Sequence, residues 1–351
     1  NGGHVFPCAL TIGTYFIVRK RDDRKLRFFS KNFAKLGIIE ASLDSLVHTG
    51  DNNWINYPMG VIWALKEKGY EVKNGFDILV FGNIPNGSGL SSSASVEVGT
   101  GTFLNDYYEF GLTPDKIALI GQYSENNFNK VNCGIMDQFA IAMGKKDNAI
   151  FLDTSNLSYV YAPLKLDGAK IVIACSNKKR GLGDSKYNER RSECEKALEI
   201  LQNNGVNIKA LCELTPSEWE EKKSLIADEV LVKRAKHCVY ENQRVKDAVE
   251  ALKKDDFNGL GLLLNASHKS LKEDYEVTGI ELDTLSETAQ KQEGCLGARM
   301  TGAGFGGCAI ALVHKDKIES FVKNVQEEYT KVIGYGAGFF ACESGDGVAK
   351  L

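Results

Sequence analysis

Apolar residues along the chain fall into two spacings. Residues 75–82 (GFDILVFG) form a short, dense apolar run bounded by glycines, which predicts a strand. Beyond the polar stretch PNGSGLSSSA that follows, Val96, Phe103, Leu104 and Tyr107 recur at i, i+7, i+8 and i+11, one face of a helix. Thr113 and Pro114 then supply an N-cap and a first-turn proline, and Ile117, Ile120, Gly121 and Phe128 continue a second helix. Ile135, Phe139 and Met143 repeat at i+4 in a third helical segment, and AIFLD (149–153) predicts the next strand. The second half has the same rhythm: a strand at AKIVIAC (169–175), helical regions over 187–202 and 228–254, and strands at 307–313 and 337–343. No internal repeat or low-complexity tract is present, and a domain boundary is expected near Leu164.

Length and composition narrow the class. A chain of 351 residues exceeds the usual single domain, so two domains sharing a cleft are expected. With 43% apolar and 25% charged residues it can build real cores under a soluble surface. A net charge of −3 and the lack of a Lys/Arg block argue against nucleic-acid binding. No apolar run approaches the roughly 18 residues of a membrane span. The nine cysteines are scattered without metal-ligand spacing, which predicts reduced thiols and a cytoplasmic protein.

Three segments carry candidate chemistry. The junction 85–94 leads from strand to helix, where unsatisfied N–H groups and the helix dipole favour an anion and glycines admit a phosphate. It is not a P-loop, because no lysine is present. A Ser/Gly turn with a capping serine fits the spacing equally well. The segment TGAGFGG (301–307) has GxGxxG register, but it runs straight into the strand-like CAIALV, and the preceding EGCLGARM does not read as a strand. A dinucleotide site is therefore excluded, which leaves a tight loop. In CGIMDQF (133–139), Asp137 stands among apolar neighbours near a helix start, either as a dipole partner or as a working acid.

PNGSGLSSSA matches the phosphate loop P-x-x-x-G-L-S-S-S-A of the GHMP small-molecule kinases. With NGGHVFPCAL, CGIMDQF and GARMTGAGFGGCAIAL in the same order, the whole chain resembles the galactokinase branch of that family. The resemblance implies an α+β, two-domain GHMP architecture with the active site between an N-terminal α/β domain (1–164) and a C-terminal ferredoxin-like domain (165–351). It implies ATP-dependent phosphorylation of α-D-galactose at the C1 hydroxyl, with Mg²⁺ as cofactor. The alternatives are an N-acetylgalactosamine kinase, or a non-catalytic regulator that binds galactose and ATP.

Carried over by position, the resemblance assigns Gly87, Ser88, Gly89, Leu90, Ser91, Ser92 and Ser93 to the ATP phosphates. It assigns Trp54 to the adenine, Ser93 and Glu125 to Mg²⁺, and Asp137 to the catalytic base. Gly134 and Tyr187 join Asp137 at the galactose. Read without the family, Glu125 and Tyr187 are ordinary helix residues and Trp54 a core tryptophan. In the family, Asn1-Gly2-Gly3 follows a Gly-Glu-His-Thr-Asp-Tyr segment and a catalytic arginine. Without these and the first strand, the chain as written, whether part of an intact enzyme or a truncated product, is expected to be a poor kinase. A monomer is expected.

Overall fold

The computed structural model describes residues 1–50, 53–84, 90–178 and 183–351, and of residues 183–185 the backbone only. The chain first runs through β1 (His4–Val5), β2 (Thr14–Lys20), β3 (Lys25–Ser30), β4 (Ile39–Ser42), α1 (Asn56–Glu67), β5 (Phe76–Gly82), α2 (Ser92–Tyr108), α3 (Pro114–Asn127) and α4 (Met136–Met143). It continues with β6 (Asn148–Asp153), β7 (Tyr159–Pro163), β8 (Ala169–Cys175), α5 (Gly183–Asn203), α6 (Pro216–Lys222) and α7 (Glu229–Lys253). The last elements are α8 (Phe257–Glu273), α9 (Ile280–Gln290), β9 (Cys295–Thr301), β10 (Cys308–His314), α10 (Ile318–Ile333) and β11 (Gly338–Cys342). Among the described residues no helix is long and apolar enough to cross a membrane.

Two compact units result, interleaved along the chain. One comprises Cys8–Asn86, Ser91–Lys146 and Ser344–Leu351. Its sheet has the order β2-β5-β3-β4, with β3 and β5 parallel and the other pairs antiparallel. Strand alternation sends Phe76, Ile78 and Val80 of β5 inward, where Leu26, Phe28, Ile62, Leu65 and Leu104 complete a dry core with the helices. Pro114 holds the first helical position of α3, as expected. Thr113 precedes it in extended conformation, but its hydroxyl makes no capping bond. The tail returns to this unit: Gly345 N–H donates to Ala9 O, Gly347 N–H to Gly144 O and Val348 N–H to Ile141 O.

The other unit is chiefly Asn1–Pro7 and Asp147–Glu343. A small antiparallel sheet, β1-β6-β7, adjoins α7, where the Asn242 carboxamide oxygen accepts from the His4 N–H at 2.9 Å. The main sheet is wholly antiparallel with the order β11-β8-β10-β9. Numbered within the sheet this is 4-1-3-2, with helices between the first and second and between the third and fourth strands, which is the ferredoxin-like path. Val172, Ala174, Ala309, Ala311 and Val313 on one face pack against Leu285, Ala289, Phe321, Val325 and Tyr329 of α9 and α10. A helical core around Trp219 joins α5, α6 and α7.

Two expectations need correction. EGCLGARM does contain a strand, β9. It escapes pattern reading because its glycine and alanine leave room for α8: a Cβ on Gly297 would lie 2.1 Å from Gly261 O. The loop 301–307 thus joins two antiparallel strands rather than a strand and a helix, and the dinucleotide reading still fails. The thiols are not all reduced either. Cys175 and Cys308 face each other across β8 and β10, Cα atoms 4.2 Å apart, and are joined as a disulfide.

Candidate active site

The chemistry concentrates where α2, α3 and α4 meet. Of the junction residues, Gly87, Ser88 and Gly89 lie outside the described residues. Leu90 forms a bend, and Ser91 takes the left-handed conformation (φ 55°, ψ 33°) immediately before α2. Such a conformation is uncommon for a residue with a side chain and clusters at functional sites. The Ser91 side chain hydrogen-bonds Asp137. Ser92 and Ser93 form the first turn of α2, where backbone N–H groups have no intrahelical acceptor.

Asp137 sits in the first turn of α4. Its approach segment is gripped from α3. The Asn126 carboxamide oxygen accepts from the Cys133 N–H at 3.0 Å, and Gln122 Nε2 donates to Cys133 O at 3.3 Å. Gly134 follows on the surface, with no atom within 4 Å of where a Cβ would stand. Burial pushes the Asp137 carboxyl above its ordinary range, and the Ser91 bond opposes this.

Glu125 projects from α3 and is buried. It meets Glu97 of α2, which is completely shut off from water. The two carboxyls share a hydrogen bond, and burial together with Glu125 holds the Glu97 carboxyl well above its usual range. The Glu97 Oε2 also accepts from Gln138 Nε2 at 3.0 Å. Burial, Glu125, Glu97 and Asp137 together push the Cys133 thiol up to about 12. Carboxyls, an amide and a hydroxyl perturb Glu97, Cys133 and Asp137.

Sequence reasoning passed over Glu97 and Gln138. The available signal was that Glu97 is the one charged residue between Ile84 and Asn105. The Glu125 carboxyl and the Ser93 hydroxyl at the start of α2 are hard oxygen donors of the kind that suits Mg²⁺.

The remaining site residues are placed as follows. Trp54 is 8% exposed and meets the Phe28 ring edge-on at 6.1 Å. Tyr187 lies on α5 in the other unit, half-buried. One turn later, the buried Arg190 ties that helix to Tyr275 O (2.8 Å) and bonds Glu193 of the same helix (2.9 Å), which Arg234 of α7 also holds at 2.7 Å. In the loop 301–307, Gly302, Gly304, Phe305, Gly306 and Gly307 all have positive φ. The loop is fastened by Phe305 N–H to Val277 O (2.7 Å) and Ser176 N–H to Gly307 O (2.8 Å).

A second cluster, His268, Asp283 and Glu287, has ligand-like spacing. It does not suit a metal. His268 Nδ1 accepts from the Met300 N–H, so Nε2 carries the proton and faces Asp283. The Lys272 ammonium already pairs with Asp283 and Glu287.

A helix N-terminus rich in serine, an adjacent buried acid cluster and a 4-1-3-2 sheet define a small-molecule kinase of the GHMP class. The GHMP kinase N-terminal domain model matches residues 56–145, and the C-terminal model matches residues 248–331. The similarity extends over the entire chain. Galactokinases of Clostridium beijerinckii and Fusobacterium nucleatum are 56% and 54% identical over all 351 residues, which cover 90% of each relative. The crystal structure of Lactococcus lactis galactokinase complexed with galactose superposes with a TM-score of 0.97 at 49% identity, covering 100% of this chain and 90% of that one. The chain belongs to the galactokinase family.

Proposed function

We propose that this protein phosphorylates α-D-galactose at its C1 hydroxyl, using ATP and releasing galactose 1-phosphate and ADP. The observation that carries the proposal is the unbroken kinship with galactokinases over all 351 residues. The protein is read as a cytoplasmic monomer with functional domains 1–164 and 165–351.

In this reading Asp137 accepts the C1-hydroxyl proton as the sugar oxygen attacks the γ-phosphate. Its raised proton affinity suits that task, and the Ser91 hydroxyl keeps the carboxyl oriented. Gly134, with open space around it, lets the sugar approach the backbone, and Tyr187 packs on the sugar. Gly87, Ser88, Gly89, Leu90, Ser91, Ser92 and Ser93 bind the nucleotide phosphates through N–H and hydroxyl donors at the start of α2. Trp54 stands by the adenine. Ser93 and Glu125 would hold Mg²⁺, which would supply positive charge to offset that of the transferring phosphate. Because phosphoryl transfer gains most from positioning and charge stabilisation, the fixed placement of Asp137 matters as much as its basicity.

The purified full-length protein is tested with ATP and galactose, N-acetylgalactosamine or 1-deoxygalactose, following ADP release and identifying the product by phosphorus NMR. Turnover of galactose to an anomeric phosphate, with none of 1-deoxygalactose, is expected. Faster turnover of the N-acetyl sugar would reassign the substrate. Calorimetric binding of galactose and ATP without ADP formation would make the protein a regulator.

A further inference from the structure

Glu97 is poorly explained by stability. A carboxyl completely removed from water and set beside a second carboxyl costs free energy, whereas an apolar side chain of that volume would not. The fold nevertheless makes room for it. Gly121 of α3 faces Glu97 and Gln138; a Cβ there would touch Glu97 Cβ at 3.4 Å and crowd Gln138 Cγ at 3.1 Å, so even a methyl group would press on Gln138.

The bonds of Glu97 lead to the working parts. One is to Glu125 on α3. The other is from Gln138 Nε2, at 3.0 Å, and the same nitrogen lies 4.0 Å from Cys133 Sγ. Cys133 and Gln138 flank the segment that contains Gly134 and Asp137. Gln138 is itself buried, so its amide has no water to fall back on if Glu97 is removed.

We propose that Glu97 is a positioning residue, whose carboxyl fixes the orientation of Glu125 and, through Gln138, holds the Cys133–Gln138 segment so that Asp137 is presented to the sugar. The proposal rests on the reading of Asp137 as base and Glu125 as magnesium ligand. Glu97 touches neither substrate. It acts as the common anchor of three helices: α2, which bears it, α3, which bears Glu125, and α4, which bears Gln138 and Asp137.

The test uses Glu97→Leu and Glu97→Gln in the full-length protein, with two readouts. One is kcat with galactose. The other is Mn²⁺ affinity of the ADP complex, measured from the electron paramagnetic resonance of free Mn²⁺. Glu97→Leu should weaken Mn²⁺ binding about tenfold and lower kcat by about 10- to 100-fold, the range typical when the support of a metal ligand is lost. Glu97→Gln, which has the same shape and can bond both partners, should stay within about threefold of wild type on both measures.

A merely structural residue would lower the melting temperature and leave Mn²⁺ affinity unchanged. A folded Glu97→Leu with wild-type Mn²⁺ affinity and kcat overturns the proposal, as does a Glu97→Gln that is as impaired as the leucine variant. If the leucine variant does not fold, Gln138→Leu decides: it should lower kcat comparably, and a wild-type kcat overturns the proposal. Asp137→Asn and Glu125→Gln are run in parallel. Full turnover in these would sink the assignment of base and metal ligand, whereas their loss beside an active Glu97→Leu would sink only the role of Glu97.

Discussion

Asp137→Asn separates catalysis from folding in a single substitution. The replacement keeps the shape of the side chain and an oxygen for the Ser91 hydroxyl, but removes the proton acceptor. General-base catalysis contributes about 10²–10⁴ in rate. Because proton transfer is a small part of a loose phosphoryl-transfer transition state, the lower half applies. A fall in kcat of about 10²–10³, or about 3–4 kcal/mol, is expected. The KM for ATP should hardly move, because Ser92 and Ser93 remain in place on α2.

Stability should move the other way. Burial raises the Asp137 carboxyl above its unfolded value of 3.8, so the folded state takes up a proton more readily than the unfolded chain. Wild-type stability is therefore lost as pH rises from 3.8 through the raised folded value, and the full penalty persists above it. The asparagine variant has no such penalty. Its melting temperature should match wild type in acid and exceed it at neutral pH. The measurements are ADP release in a coupled assay and thermal unfolding at several pH values. An unchanged kcat would refute the base assignment, and a variant less stable than wild type at neutral pH would refute the account of the carboxyl's burial.

Ser93→Ala should raise the Mg²⁺ concentration for half-maximal rate about tenfold, read from a magnesium titration at saturating ATP; an unchanged curve removes Ser93 from the metal site. Gly304→Ala should lower the melting temperature, because φ is +82° and the added Cβ would stand 2.2 Å from Val277 O. Strain of that kind costs about 1–3 kcal/mol before the collision is counted. A melting temperature equal to wild type would mean the loop is not fixed as described. Burial alone would raise the Glu241 carboxyl, but Arg299, His237 and Arg244 hold it down at about 2, so its contribution is full above its unfolded value of 4.5 and disappears as pH falls toward 2. Acid unfolding should begin at a higher pH in wild type than the remaining carboxyls dictate, and Glu241→Gln should flatten that part of the curve; an unaltered curve would contradict it.

How much was legible depended on the local pattern. β5, β6, β8 and β10 were readable because apolar runs end at glycines or polar residues, and α2, α3 and α4 because their apolar faces repeat at helical spacing. β2 and β3 (TYFIVRK and KLRFFS) were missed: Arg27 interrupts β3, and in β2 Tyr15 and Ile17 point outward to Phe81 and Leu79, so no clean alternation of apolar and polar residues appears. Long-range pairing was invisible for another reason. Cys175 and Cys308 are 133 residues apart, and only the β8–β10 register brings them together. At the site, Asp137 was found through its motif, whereas Glu97 works through a bond to Gln138 that no spacing within one helix reveals.

The returning tail fixes an order of assembly. Lys146 N–H, just beyond α4, donates to Asp346 Oδ1, a partner 200 residues later, and Ile141 and Gly144 find theirs in Val348 and Gly347. On the ribosome, the helix that carries Asp137 must therefore wait, its far end unfastened, while the whole of the other unit is translated. Closing so long a loop slows folding more than it weakens the finished unit, since the entropic cost grows only with the logarithm of loop length. The nascent acid cluster thus has its residues long before the segment that fastens the end of its helix is made.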